Sequence, residues 1–124
     1  MIIKESGENY LETILMLTKE KGYARSIDIA NELGFAKPSV SVAMKHFREE
    51  GYIETDKDGR ITLTEKGLEV AEMVYERHQI IAKALMALGV DEKTAYDDSC
   101  KIEHDISQTS FEKIKEFLAK HSGN

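Results

Sequence analysis

The six residues "CKIEHD", from Cys100 to Asp105, combine a thiol, an imidazole and two carboxylates. Each residue of an α-helix turns the chain by about 100°. If the segment is helical, Cys100, Glu103 and His104 share one arc, and Asp97 lies on the same face one turn earlier. This mixture of ligands suits a divalent transition metal better than Ca²⁺ or Mg²⁺, which prefer oxygen ligands.

Two other interpretations of this cluster compete with a metal site. Cys100 could be a nucleophile with His104 as its base. Nothing nearby resembles an oxyanion hole, however, and adjacent turns of one helix are a poor scaffold for acyl transfer. The cluster could also be an ordinary solvated helix face. A stray histidine would favour that interpretation, whereas three ligand types on one arc favour metal binding.

A selective metal site needs ligands from more than one helix. His78 belongs to a long helix upstream, and Glu12 and Asn9 belong to the first helix of the chain, beside Glu8. These residues offer an imidazole, carboxylates and an amide oxygen. They complete the site only if the first helix crosses the helix of Cys100, which the periodicity does not establish. His78 alone is equally compatible with an ordinary surface position.

The elements that position these residues begin with a helix-turn-helix pattern. "SGENYLETILMLTKEKG" predicts a first helix with Ser6 as its cap and Gly22 at its end. A short second helix, "SIDIANELGF", ends at Gly34 and is followed closely by a third, "KPSVSVAMKHFREEG", which Gly51 stops. The predicted inward-facing residues of the second and third helices are Ile27, Ile29, Ala30, Leu33, Val40, Met44 and Phe47.

Two β-prone runs follow the third helix. They cover residues 52–55 and 60–63 and flank "DKDG", which predicts a hairpin turn. Three helices followed by a two-stranded hairpin form a winged helix-turn-helix. The alternative is a small α+β core without a role in DNA binding.

The third helix and the hairpin carry candidate DNA-binding residues. They are short donors, cations and a first-turn proline, of the kinds that suit phosphates and base edges: Lys37, Pro38, Ser39, Ser41, Lys45 and, in the hairpin, Arg60. An exposed helix is also often simply polar. The net charge of −6 argues weakly against nucleic-acid binding, but the acidic excess lies mainly toward the C-terminus.

The second half of the chain is predicted to be helical. Thr64 should cap a long helix reaching about Leu88, followed by a fifth helix in "GVDEKTAYDDSCKIEHDIS", entered at Asp91, and a sixth in "QTSFEKIKEFLAKH". Their apolar faces exceed what one subunit can cover, which predicts a two-fold homodimer. We therefore expect a mainly α protein with a winged helix-turn-helix DNA-binding domain at residues 1–63. A helical metal-binding and dimerisation domain should follow at residues 64–124.

Composition and termini bear on where the protein works. No apolar run approaches the roughly 20 residues that span a bilayer. The N-terminus lacks the apolar core and cleavage site of a signal peptide. The single cysteine cannot form an internal disulfide. These features predict a cytoplasmic protein without a membrane partner.

Several segments together resemble one family. They are "ENYLETILML", "KGYARSIDIANELG", "LTEKG", "ERHQII", "GVDEKTAYDD" and "IEHDIS". They are similar to the diphtheria-toxin-repressor family of metal-dependent repressors, and most similar to the short, two-domain branch typified by the manganese transport regulator. The resemblance covers nearly the whole chain. It implies an N-terminal winged helix, a C-terminal helical dimerisation domain, and a divalent metal that activates binding to a double-stranded DNA operator.

The resemblance also implies a set of metal ligands. Four residues match ligand positions of the manganese-sensing branch: Glu12, His78, Glu103 and His104. Cys100 stands where that branch has glutamate and the iron-sensing branch has cysteine. Asn9 stands where the two branches have aspartate and methionine. Because cysteine is softer than glutamate, the metal is left open among iron, manganese and zinc.

Four functions follow from these patterns. The leading one is a metal-dependent repressor that binds its operator as a homodimer, controls metal homeostasis and has no enzyme activity. The second is a winged-helix regulator with a degenerate metal site, constitutive or answering another ligand, which Asn9 and Cys100 motivate. The third is a small metallohydrolase with Glu103 or Glu12 as base on a metal-bound water, which leaves the winged helix unexplained. The fourth is a dimeric protein-interaction module, which the polar residues of the third helix make less attractive.

Overall fold

The computed structural model describes residues 5–121, and within that range the chain forms six helices and one two-stranded sheet. The elements are α1 (Glu5–Lys21), α2 (Ser26–Leu33), α3 (Lys37–Glu49), β1 (Ile53–Thr55), β2 (Ile61–Leu63), α4 (Glu65–Ala87), α5 (Glu92–Ile102) and α6 (Gln108–His121). One compact unit runs up to Glu72 and a second begins at Met73, so α4 contributes to both. Within residues 5–121, no helix has the length and apolar character that crossing a membrane requires.

The first unit is a winged helix-turn-helix, as predicted. Its core contains apolar side chains from α1, α2, α3 and the hairpin: Leu11, Ile14, Ile29, Val40, Met44, Phe47, Ile53 and Ile61. The ring of Phe47 makes edge-to-face contacts with Tyr10 and Tyr52, at centroid distances of 6.2 and 6.0 Å. These contacts join α1 and the start of the hairpin to α3.

The turn between α2 and α3 sets the direction of the third helix. Gly34 adopts a left-handed conformation with φ of 69°, and its N–H donates to the carbonyl of Ala30. Pro38 lies in the first turn of α3, where its missing N–H costs no helical hydrogen bond. Because one side of α3 is buried in the core, the opposite side is left exposed.

Hydrogen bonds stabilise the hairpin in its turn and at the start of β2. Strands β1 and β2 pair antiparallel, with Ile53 opposite Leu63. In the turn, the backbone N–H groups of Arg60 and Asp58 donate to the Asp56 carboxylate, at 2.9 and 2.8 Å, and these bonds hold its pKa below the usual range. The N–H of Ile61 donates to the carbonyl of Ala24 at 2.6 Å, which ties the hairpin to the segment before α2.

The second unit contains the rest of α4 together with α5 and α6. Its buried apolar residues include Val74, Ile81, Ala82, Ala95 and Phe111. Asp91 caps α5 by accepting the N–H of Thr94 at 3.0 Å, and this bond lowers the pKa of the Asp91 carboxyl.

Four details differ from the sequence-based expectations. Ser6 lies inside α1 rather than capping it, because the helix already includes Glu5. Ile27 is 40% exposed, because it lies about 200° around α2 from the buried Ile29. Leu88 lies beyond the end of α4 and is 78% exposed. The strands are also shorter than predicted, since each begins one residue later than expected.

The end of α5 is the difference that matters most for function. This helix stops at Ile102, so Glu103 is its C-cap and His104 lies in the following turn. The prediction that one helix carries all of "CKIEHD" was therefore wrong. The physical reason is the start of α6, where the Ser107 hydroxyl accepts the N–H of Ser110 at 3.1 Å and acts as a helix cap.

Candidate metal centre and DNA-binding surface

The metal candidates of the second unit are positioned by the packing of α5 against α4. Ala95 and Ser99 are fully buried small residues one turn apart on α5. The Ser99 hydroxyl donates to the backbone carbonyl of His78 on α4, at 2.7 Å. This bond fixes the last turn of α5 next to the histidine.

His78 is oriented by residues of α5. Its Nε2 lies 3.2 Å from the backbone carbonyl of Tyr96, and the two rings meet edge to face at a centroid distance of 5.6 Å. Nδ1, on the other side of the ring, lies 3.9 Å from the Sγ of Cys100 and is the nitrogen that would bind a metal. Support of an imidazole by a backbone carbonyl is the usual way in which proteins fix a histidine ligand.

Glu103 is a buried carboxylate between two imidazoles. Only 1% of its side chain is exposed. Its Oε2 lies 4.0 Å from Nδ1 of His78, and its Oε1 lies 3.4 Å from Nε2 of His104, whose side chain is 2% exposed. A carboxylate removed from water needs compensating positive charge. A bound cation can supply that charge here.

These four side chains fit a divalent transition metal. Cys100 offers a soft sulfur, Glu103 a carboxylate, and His78 and His104 two imidazoles, a set that iron, zinc or cobalt accepts. The thiol belongs to an exposed residue, whereas the carboxylate is buried, so one side of the cluster reaches solvent. The structure places Cys100 beside His78, and Glu103 beside both His78 and His104. That all four bind one metal ion stays a prediction.

The remaining candidates lie elsewhere on the chain. Asp97, expected on the same face, is instead exposed and pairs with Lys93 at 2.9 Å, which raises the pKa of the lysine. Glu12 is buried on α1 in the first unit, and Asn9 is partly exposed one turn earlier. Their part in metal binding stays a prediction at this point.

The predicted DNA-binding residues are all on exposed surface. Lys37, Pro38, Ser39, Ser41 and Lys45 face outward from α3. On the hairpin, the exposed Arg60 lies with its guanidinium carbon 5.0 Å from the centroid of the Tyr23 ring.

Sequence reasoning missed one residue of this surface and two supports of the metal cluster. Val42 is 57% exposed on α3, and its place opposite Val40, Met44 and Phe47 was a signal in the helical period. An exposed apolar side chain on such a helix suits the methyl group of thymine.

Ser99 could have been found from the spacing of small residues on α5, whereas the carbonyl of Tyr96 left no signal in the sequence.

Two family models match the chain in succession. One, described as "Iron dependent repressor, N-terminal DNA binding domain", matches residues 3–61. The other, described as "Iron dependent repressor, metal binding and dimerisation domain", matches residues 64–122. The HTH-type transcriptional regulator MntR of Bacillus pumilus is 36% identical over 113 residues, which are 91% of this chain and 78% of that protein. The chain belongs to the iron-dependent repressor family.

Other members of the family agree with this assignment. An uncharacterized HTH-type transcriptional regulator of Methanocaldococcus jannaschii is 35% identical over 120 residues, covering 95% of this chain and 96% of its own length. The solved structure of the manganese regulator SloR superposes with a TM-score of 0.78 at 27% identity. That match covers 96% of this chain and 55% of the SloR chain.

Membership settles the general role. The chain is a metal-dependent transcriptional repressor. It has a DNA-binding winged helix and a helical region for metal binding and dimerisation. Its cofactor is a divalent transition metal, its partner is DNA, and its dimerisation domain agrees with a homodimer. The resemblance to the diphtheria-toxin-repressor family is confirmed.

Proposed function

We propose that His78, Cys100, Glu103 and His104 bind the metal ion that activates this repressor, with Glu12 as a further carboxylate ligand and Asn9 as an accessory oxygen ligand. The observation that carries the proposal is the buried Glu103 carboxylate between two imidazoles, with the Cys100 sulfur 3.9 Å from Nδ1 of His78. Without a cation, the carboxylate of Glu12 and a thiolate at Cys100 would repel the Glu103 carboxylate if they were brought to this position. A divalent ion turns that repulsion into attraction.

The ligand set favours a softer metal than manganese. Cys100 supplies sulfur where the resembling manganese-sensing branch has a carboxylate oxygen, and sulfur prefers iron, zinc or cobalt. Asn9 is neutral, so the site carries less negative charge than one with aspartate there. We propose iron or zinc as the physiological activator and one metal ion per subunit.

Operator binding is proposed to use α3 and the hairpin. Ser39, Ser41 and Lys45 are exposed on α3 and suit base edges and phosphates, while the cations Lys37 and Arg60 suit the phosphates. Pro38 lies beside Lys37 in the exposed first turn of α3 and would contribute an apolar contact. In a two-fold homodimer the two α3 helices would read half-sites repeated about every 34–36 Å. We propose that the dimer acts in the cytoplasm to control metal homeostasis, that residues 1–63 form the DNA-binding domain, and that residues 64–124 form the regulatory one.

One experiment tests the proposed function. A duplex selected from a random library by the purified protein with Zn²⁺ or Fe²⁺ serves as operator, and its affinity is then measured with each metal and with chelator. We expect tight binding with metal, weak binding with chelator, and loss of the difference in Glu103→Ala. Equal affinity with metal and with chelator would overturn the proposal.

The second candidate is a regulator whose operator binding does not depend on metal. Asn9 favours it, because it removes a charged ligand that the resembling branch has. Tight operator binding in chelator, unaffected by Glu103→Ala, would support this candidate instead. A hydrolase has no comparable support, and we propose no catalytic role for Cys100 or Glu103.

A further inference from the structure

Arg77 precedes His78 on α4 and reaches the turn between α5 and α6. Its Nη1 donates to the backbone carbonyls of Glu103 and Ile106, at 3.1 and 3.0 Å. Its Nη2 donates to Oε1 of Gln108 at 2.7 Å. One guanidinium group therefore spans the whole turn and the first residue of α6.

The surroundings of Arg77 hold the guanidinium in this place. Its central carbon lies 5.2 Å from the centroid of the Phe111 ring, and Phe111 is 2% exposed. The Nε of Arg77 is buried and has no hydrogen-bond partner among the described residues. The hydrogen bonds of the guanidinium are therefore those made by Nη1 and Nη2 to the turn and to Gln108.

The turn that Arg77 contacts carries two of the proposed ligands, Glu103 and His104. Its own backbone bonds are local to α5: the N–H of Glu103 donates to Ser99, and the N–H groups of Asp105 and Ile106 donate to Ile102. Such bonds shape the turn but do not join it to α4. The bonds of Arg77 make that connection, one residue from His78.

We propose that Arg77 is a positioning residue for the metal centre. By holding the carbonyls of Glu103 and Ile106 against α4, it sets the spacing between the His78 ring and the ligands of the turn before metal arrives. Ligands fixed in advance lose less conformational freedom on binding, which raises affinity. The same guanidinium holds Gln108, so the metal-binding turn and the start of α6 are positioned together. This inference rests on the proposed ligand set.

The test compares Co²⁺ affinity among variants of the full chain. Arg77→Lys keeps the positive charge and most of the stem but loses the planar fork that holds two carbonyls and an amide at once. We expect Co²⁺ affinity to fall about 10–100-fold, the usual effect of removing a residue that supports a metal ligand. The near-ultraviolet charge-transfer band from a cobalt-bound thiolate should persist at saturation, because Cys100 is intact.

Lys115→Gln is the matched control. It removes another link between α4 and α6, the exposed ion pair of Lys115 with Glu76 at 3.3 Å, without touching the turn. Its Co²⁺ affinity should equal that of the unmodified chain. All titrations are made well below the melting temperature of each variant, so that loss of stability alone does not change the affinity.

Gln108→Ala covers the case in which Arg77→Lys does not fold. It removes only the amide acceptor, and we expect it to lower affinity by a smaller factor than Arg77→Lys. Unchanged Co²⁺ affinity in every folded variant of Arg77 and Gln108 would overturn the positioning role. If the unmodified chain binds no Co²⁺, the proposed metal centre itself is wrong. If the unmodified chain binds Co²⁺ and only His78→Ala loses binding, the metal centre stands but Arg77 does not position it.

Discussion

At the scale of single residues, Cys100 is the proposed ligand whose sulfur should set the metal preference of the site. Its sulfur lies 3.9 Å from Nδ1 of His78, close enough for both atoms to bind one ion. Cys100→Glu should shift the ratio of Mn²⁺ to Zn²⁺ affinity toward manganese by at least about tenfold, or 1.4 kcal/mol, because a hard oxygen replaces a soft sulfur. Calorimetric titration with each metal measures the ratio. An unchanged ratio would show that the sulfur is not a ligand.

Glu103 is the residue on which metal-dependent stability should depend. At a free metal concentration 100 times Kd, binding should stabilise the folded protein by about 2.7 kcal/mol. Glu103→Gln keeps the shape of the side chain but removes its charge, so most of this gain should disappear in thermal unfolding with and without Zn²⁺. Asp97→Asn, which alters an exposed carboxylate paired with Lys93, should retain the full gain. Equal gains in both variants would contradict the role of Glu103.

Residue types and local spacing predicted part of the cluster. Cys100, Glu103 and His104 lie within five residues, so their proximity follows from the chain itself. The approach of His78 depends on how α5 packs on α4, which periodicity does not specify. The role of Arg77 was out of reach for the same reason, since its acceptors are mainly backbone carbonyls, which every residue carries.

At the scale of elements, the capping of α5 has a pH dependence. The bond from the N–H of Thr94 lowers the pKa of Asp91 in the folded protein. A carboxyl whose folded pKa is depressed stabilises the fold above its unfolded pKa, and this stability is lost as the pH falls through the folded value. Asp91→Ala should therefore lower the melting temperature at neutral pH and have progressively less effect below about pH 3.9. A difference that persists unchanged at acid pH would exclude the charged cap.

The exposed side of α3 should contribute to the salt dependence of DNA binding. Lys45→Ala should weaken operator binding and reduce the slope of log affinity against log salt by about one unit, if Lys45 contacts one phosphate. Lys113→Ala, on the exposed surface of α6, serves as the control and should leave both quantities unchanged. An unaltered slope in Lys45→Ala would remove this lysine from the interface.

Helical periodicity predicted the elements well where one face is buried. Val40, Met44 and Phe47 on α3 are buried as expected, and the type of each element in the winged helix was correct. The end of α5 was missed because "KIEHDIS" contains no glycine or proline, and the stop depends on Ser107 capping the next helix. A cap of this kind resembles an ordinary polar residue when read from sequence.

At the scale of the whole molecule, charge is distributed according to function. The net charge is −6, of which residues 1–63 carry −2 and residues 64–124 carry −4, so the acidic excess is larger in the metal-binding region. An acidic region concentrates divalent cations, while a less acidic one with exposed lysines repels DNA less. A metal-dependent repressor needs both properties, which explains how an acidic protein can bind an operator.

The metal and the operator should bind this protein with positive coupling. Thermodynamic linkage requires each ligand to raise affinity for the other by the same factor, usually about 5–150-fold, or 1–3 kcal/mol. The most direct test is a complete cycle: operator affinity with and without Zn²⁺, and Zn²⁺ affinity with and without operator, for the unmodified protein and for Glu103→Gln. We predict equal factors above fivefold in the unmodified protein and a factor near one in the variant. Zn²⁺ binding that leaves operator affinity unchanged, or coupling that survives in Glu103→Gln, would contradict the account.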